Sequence, residues 1–136
     1  MAGIQGVINA TVWENTIIHN TLWVPGHFHS MTLFNITMAI FVMTYYLLPK
    51  MTGRSISERS AKLYWWGSLI GLIGIVDFWL LQGIRGFLRR SAVLPDEAAL
   101  LTMLSVPFFL LMLVSQYFFF AVVWKNIWGS DFEAKD

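Results

Sequence analysis

His27 and His29 stand two residues apart in the stretch WVPGHFHSM, with only Phe28 between them. An imidazole can take up a proton near neutral pH or give a nitrogen lone pair to a metal. Spacing decides what such a pair can build. On a helix, residues two apart diverge by roughly 200°, so the rings point to nearly opposite faces. A single ion held by a helical pair asks instead for a spacing of about three or four. On a strand both rings would share a face. A helical His27–Phe28–His29 therefore makes two sites, about 10–15 Å apart across the helix. The other chemical group of interest is the arginine cluster in GIRGFLRRSAV, namely Arg85, Arg89 and Arg90. A guanidinium fork suits a carboxylate or a phosphate, and it also snorkels to lipid headgroups.

The elements around these groups follow from where charge is missing. Only 12% of the 136 residues are charged, against about 25% in an ordinary soluble domain. Asn15 to Pro49 and Ala98 to Trp124 carry no Asp, Glu, Lys or Arg, and Leu63 to Ile84 carries only Asp77. Each run meets the roughly 20 residues needed to cross a hydrocarbon core about 30 Å thick. Backbone groups in lipid must be satisfied within the segment, and the runs lack strand alternation. The expected fold class is all-α: an integral membrane chain with three transmembrane helices, about 26–48, 63–84 and 98–124, forming part of a larger helical bundle. Pro25 suits the first turn of the first span, which puts both histidines on a helix. Pro49 and Gly53 are expected to end that span, and Pro107 to kink the third or free a carbonyl there. Tyr64, Trp65, Trp66 and Trp124 fit an interfacial aromatic belt.

The basic residues give an orientation. Lys50, Arg54, Arg59 and Lys62 fall in the 49–62 loop, and Lys125 and Lys135 follow the last span. Arg85, Arg89 and Arg90 fall in the 85–97 loop. Six against three puts the 49–62 loop and the C-terminus in the cytoplasm. The N-terminal segment and the 85–97 loop then face outward. Asp77 sits roughly 20 Å along the second span from Leu63. A charged Asp there costs about 2.5–3.5 kcal/mol on insertion scales, so it is expected to be protonated, hydrated or paired with an outer arginine; an ion pair holding the 85–97 loop is favoured over membership of a proton pathway. A net charge of +1 gives no sign of nucleic-acid binding, and the absence of cysteine excludes a disulfide framework and a thiolate metal site.

The segment GVINATVWENTIIHNTLWVPGHFHSM resembles the part of haem–copper terminal oxidases that leads from the ninth to the tenth helix of subunit I. Within it, HNTLWVPGHFH most resembles the B-type branch, and GFLRRSAV resembles the paired arginines after the eleventh helix. The resemblance covers nearly the whole chain, which it makes a single membrane segment, residues 1–136, of a larger catalytic subunit. It implies two haems. His27 would be the proximal ligand of the high-spin haem iron and the catalytic ligand. His29 would be an axial ligand of the low-spin haem iron, with Phe28 packed between the macrocycles. Arg89 and Arg90 would receive haem propionates, and His19 and Asn20 would lie near propionates and associated water. Arg85 has no counterpart and is expected at the interface. Asn15 stands where many B-type members carry an acid, with Glu14 one residue earlier, which argues against a shared propionate–carboxylate proton here. Copper would be held by three histidines on another chain, since His19, His27 and His29 are the only histidines.

The implied partners are the remaining part of subunit I with the copper site and the other haem ligand, further oxidase subunits, and the lipid membrane. The electron donor would be a cytochrome, a copper protein or a quinol. The chain is expected to be half of a split subunit or a fragment, in the plasma membrane of a prokaryote. The activity implied is reduction of dioxygen to water coupled to proton translocation. A nitric oxide reductase of the same superfamily, or a noncatalytic membrane subunit without haem, are the alternatives.

Overall fold

A computed structural model describes residues 2–93 and 95–129. Lys135, which enters the charge balance above, lies outside the described residues. The chain is helical, and among the described residues there is no strand, only an isolated antiparallel bridge between Thr21 and Leu88. Two short helices, α1 (Ala2–Ala10) and α2 (Val12–Ile18), precede three long ones: α3 (Trp23–Thr52), α4 (Glu58–Ile84) and α5 (Asp96–Trp128). The three long helices are each long and apolar enough to cross a membrane.

All three overrun the expected spans. At 1.5 Å per residue they measure about 45, 40 and 50 Å, well beyond a hydrocarbon core of about 30 Å. Charge-free runs mark the part in lipid, whereas the helices continue into the polar flanks. The ends carry local signals for this. Ser57 Oγ accepts from Ser60 N at 3.4 Å at the start of α4. Asp96 and Glu97 open α5 and Lys125 lies in its last turn, each sign favourable to the helix dipole. Pro49 does not end α3 as expected. Only its own N–H is lost, so the helix runs on to Thr52. Gly53 ends it instead, in the left-handed region (φ 69°), with its N–H on the Pro49 carbonyl at 2.8 Å.

Helix α4 is the central element and holds ten buried residues. Its GSLIGLIG stretch lets α5 approach at backbone distance. A Cβ on Gly74 would lie 2.2 Å from the Phe108 ring, and one on Gly71 would lie 2.8 Å from the Phe108 carbonyl. Small residues at such a spacing are what close helix packing in lipid requires. Ser68 and Ser115 hydroxyls meet at 2.8 Å across the same seam, and Gln116 Nε2 donates to Ser68 Oγ at 3.2 Å. At the other end of α4, a Cβ on Gly83 would fall 2.1 Å from the Trp23 nitrogen. The start of α3 therefore lies directly on the end of α4. Trp23, Leu72, Val76 and Leu80 form the core there with Ile18.

Tyr64 is not part of an aromatic belt. It is 2% exposed and packs between Phe41, at 5.0 Å, and Phe119, at 5.1 Å between ring centroids. Trp66 and Trp124 do stay exposed. The phenylalanines of α5 divide: Phe108 and Phe119 pack inward, while Phe109 and Phe120 face out.

Candidate functional site

Both histidines lie in the second turn of α3, and their rings leave it toward different neighbours. His27 faces α1: its Nδ1 is 3.3 Å from Gln5 Oε1, and a Cβ on Gly6 would lie 3.6 Å from its ring. His29 faces α4: its ring centroid is 4.9 Å from that of Trp79, edge to face at 70°. Its Nδ1 lies 2.7 Å from the Pro25 carbonyl. A carbonyl only accepts, so in both rings Nδ1–H is the donor and Nε2 keeps the lone pair. One nitrogen oriented by a carbonyl while the other keeps its lone pair is the arrangement of a metal-ligating histidine; in His27 the Nε2 edge lies against Gly6 of α1, 4.0 Å from where its Cβ would stand. Both rings are half-buried. The donor set thus fits two separate single-histidine attachments. Among the described residues no three His, Cys, Asp or Glu side chains converge on a metal position.

Gln5 is the supporting residue that the sequence did not reveal. It is 5% exposed, and its Oε1 also lies 2.7 Å from Ser30 Oγ. Ser30 Oγ is in turn 2.7 Å from the His27 carbonyl. A single amide oxygen therefore fixes His27 from one side and the next turn of α3 from the other. Asn9 Oδ1 accepts from Trp23 Nε1 at 2.8 Å, which docks α1 on α3 a second time. The only sequence signal was two amides in an otherwise apolar nine-residue segment.

The remaining site residues gather at the α2–α3 junction and the loop after α4. Leu22 N donates to the Phe87 carbonyl at 2.9 Å, and Arg89 N donates to the Asn20 carbonyl at 3.1 Å. Arg89 Nε donates to Asn20 Oδ1 at 3.2 Å. Asn20 and Arg89 are thus brought together, beside His19, which caps α2. Arg90 is exposed and holds a positive φ of 61°, uncommon for a side chain of its size. Phe28 is 59% exposed and meets the His29 ring edge to face at 5.6 Å.

The expected Asp77 ion pair is not formed. Arg85 pairs with Glu97 at the start of α5, so the loop is closed by a carboxylate of its own. Asp77 is exposed on α4, and among the described residues it has no ion pair.

Three helices long and apolar enough to cross a membrane define a polytopic membrane protein, with two histidines turned to different neighbouring helices. Comparison with known proteins is more specific. The family described as Cytochrome C and Quinol oxidase polypeptide I matches residues 1–118. The chain belongs to that family, which is haem–copper oxidase subunit I. Among its relatives, cytochrome c oxidase polypeptide 1 of Halobacterium salinarum is 35% identical over 92 residues. That match covers 68% of this chain and 16% of the relative. Cytochrome c oxidase subunit 1 of Thermus thermophilus is 33% identical over 103 residues, 69% of this chain and 18% of the relative. That of Synechocystis is 33% identical over 107 residues, 77% of this chain and 19% of the relative. The chain therefore spans less than a fifth of the length of these relatives.

Proposed function

We propose that this chain supplies iron-ligating histidines to subunit I of a terminal oxidase, which reduces dioxygen to water and couples this to proton translocation. His27 is the proximal ligand of a high-spin haem, and His29 is an axial ligand of a low-spin haem. The observation that carries this is the division of the two rings between α1 and α4, each with Nδ1 held by a carbonyl oxygen. Haem iron, when bound, supplies the oxygen and electron-transfer chemistry.

The chain's own residues do the rest. Gln5 and the Pro25 carbonyl hold the two imidazoles in one tautomer and one orientation. Phe28, exposed between them, covers the space between the macrocycles and keeps water out. Arg89 and Arg90 receive haem propionates, with Asn20 orienting the Arg89 guanidinium and His19 alongside. Unpaired carboxylates near low-dielectric protein would be costly. The three histidines of the sequence are all engaged in this scheme, so the copper ligands and the other low-spin ligand come from the remaining part of subunit I.

The HNTLWVPGHFH segment supports the B-type branch. Bacterial and archaeal relatives support a prokaryotic plasma membrane, and the excess of basic residues on the 49–62 side supports a cytoplasmic C-terminus. The test is optical spectroscopy of the purified complex. His29→Ala abolishes the low-spin haem signal and leaves the high-spin one, and His27→Ala does the reverse. Unchanged spectra in both variants would sink the assignment and favour a subunit without haem.

A further inference from the structure

Between the first turns of α4 and the middle of α5 runs an apolar groove of ≈ 620 Å³. Its walls include Trp66, Ile70 and Val114, and Glu58, Arg59 and Lys62 line its mouth. From residue 58 to residue 70 the groove extends about 18 Å along α4, close to the roughly 15 Å depth of one hydrocarbon leaflet. Charge thus sits where the headgroups would be, and apolar wall where acyl chains would be. The three charges do not cancel. Lys62 Nζ lies 2.7 Å from Glu58 Oε1, whereas Arg59 has no carboxylate partner among the described residues. One positive charge is left over at the mouth.

We propose that this groove binds one anionic phospholipid from the leaflet bordering the 53–57 loop. Its diester phosphate meets Arg59, with the Lys62 ammonium beside it, and an acyl chain lies along Trp66, Ile70 and Val114. An amphipathic ligand with a single negative charge complements both the apolar wall and the leftover cation. A second protein helix would leave that cation beside lipid without an anion. The proposal needs that the chain spans a membrane and that this α4–α5 face borders lipid in the assembled subunit, and it is independent of the haem assignment.

The test is phospholipid retention by the purified oxidase complex after exchange into mild detergent, with phosphatidylglycerol and phosphatidylcholine counted by mass spectrometry. Val114 is 59% exposed and Arg59 is also exposed, so neither substitution enters the α4–α5 seam. Arg59→Gln should lower retained phosphatidylglycerol about fivefold, the effect of one basic residue near a membrane surface, and leave phosphatidylcholine unchanged. Val114→Trp fills the groove and should lower both lipids. Unchanged phosphatidylglycerol in either variant overturns the proposal, as does an equal fall of both lipids in Arg59→Gln. A photoreactive side chain at position 114 should capture lipid, and capture of a polypeptide instead overturns it. Haem spectra of the same samples stay at wild type throughout, which separates this outcome from a failure of the histidine assignment.

Discussion

Asn20 receives two hydrogen bonds from Arg89, one from the backbone N–H to its carbonyl at 3.1 Å and one from Nε to its side-chain oxygen at 3.2 Å. The two residues lie 69 positions apart. Together with the Leu22–Phe87 bond, they fasten the entry of α3 to the loop leaving α4. The histidine turn and the arginine pair are therefore positioned by one junction. Nε is engaged by Asn20, so the two terminal nitrogens of the Arg89 fork remain for an anion.

Removing that orientation tests the propionate role. If Arg89 receives a haem propionate as proposed, Arg89→Gln takes a positive charge from beside that haem and should lower its midpoint potential, on the order of tens of millivolts. The sign follows because a nearby cation disfavours the oxidised iron. Asn20→Ala keeps the charge and the backbone bond and loses only the side-chain acceptor. It should move the potential less, while costing about 0.5–1.5 kcal/mol of stability. Redox titration of both variants is the measurement. Equal shifts would mean that Arg89 acts through loop structure rather than through its charge.

The α4–α5 seam offers a prediction free of cofactor chemistry. A Cβ at residue 74 would sit inside contact distance of the Phe108 ring, and helices packed this closely cannot easily move apart. Gly74→Val should destabilise the complex by about 1–3 kcal/mol, as overpacking does. Adding Phe108→Ala should restore part of the loss, because the clash is with that ring. Unfolding in mixed micelles measures the cycle, and a fully additive double variant would contradict the contact.

At the same seam, Ser68→Ala should cost less. It removes the bonds to Ser115 and Gln116, yet interhelical hydrogen bonds in membrane proteins average about 0.6 kcal/mol. Gly74→Val should therefore exceed Ser68→Ala in the same assay. The reverse order would mean that polar contacts, not close packing, hold α5 to α4.

The long helices were legible in the sequence because lipid leaves a coarse mark, the absence of charge. The divergence of His27 and His29 was legible because Pro25 marks the first turn of a helix and the helical period does the rest. What failed depended on side-chain direction or on contacts between distant segments. Tyr64 sits near a span end, so it resembled a belt residue, but it lies on the face of α4 turned to Phe119. Arg85 has Asp77 on one side in sequence and Glu97 on the other, and only the fold of the loop selects Glu97. Helices α1 and α2, of nine and seven residues, are too short to be stable alone. They exist through contacts such as Gln5–His27 and Asn9–Trp23 for α1 and the packing of Ile18 with Trp23 for α2, which no local pattern announces.

The Gln5–His27 contact yields the last prediction. A carbonyl oxygen accepting from Nδ1–H pushes electron density onto Nε2, and a carboxylate in its place does so more strongly. Gln5→Glu should therefore make His27 a stronger donor, and Gln5→Leu a weaker one that is also less well oriented. If His27 ligates the high-spin iron, the iron–imidazole stretching frequency should rise in Gln5→Glu and fall in Gln5→Leu, as read by resonance Raman spectroscopy of the reduced complex. The low-spin bands should not move, because His29 is held by the Pro25 carbonyl at 2.7 Å and touches Trp79 instead. Gln5→Leu should also strip Ser30 Oγ of one of its two acceptors, leaving the His27 carbonyl at 2.7 Å as the other. Ser30→Ala serves as the control for that loss: it leaves Gln5 in place, so it should lower stability without moving the high-spin frequency. A frequency that tracks Ser30→Ala rather than the charge at residue 5 would mean that α1 supports α3 mechanically and does not tune the imidazole.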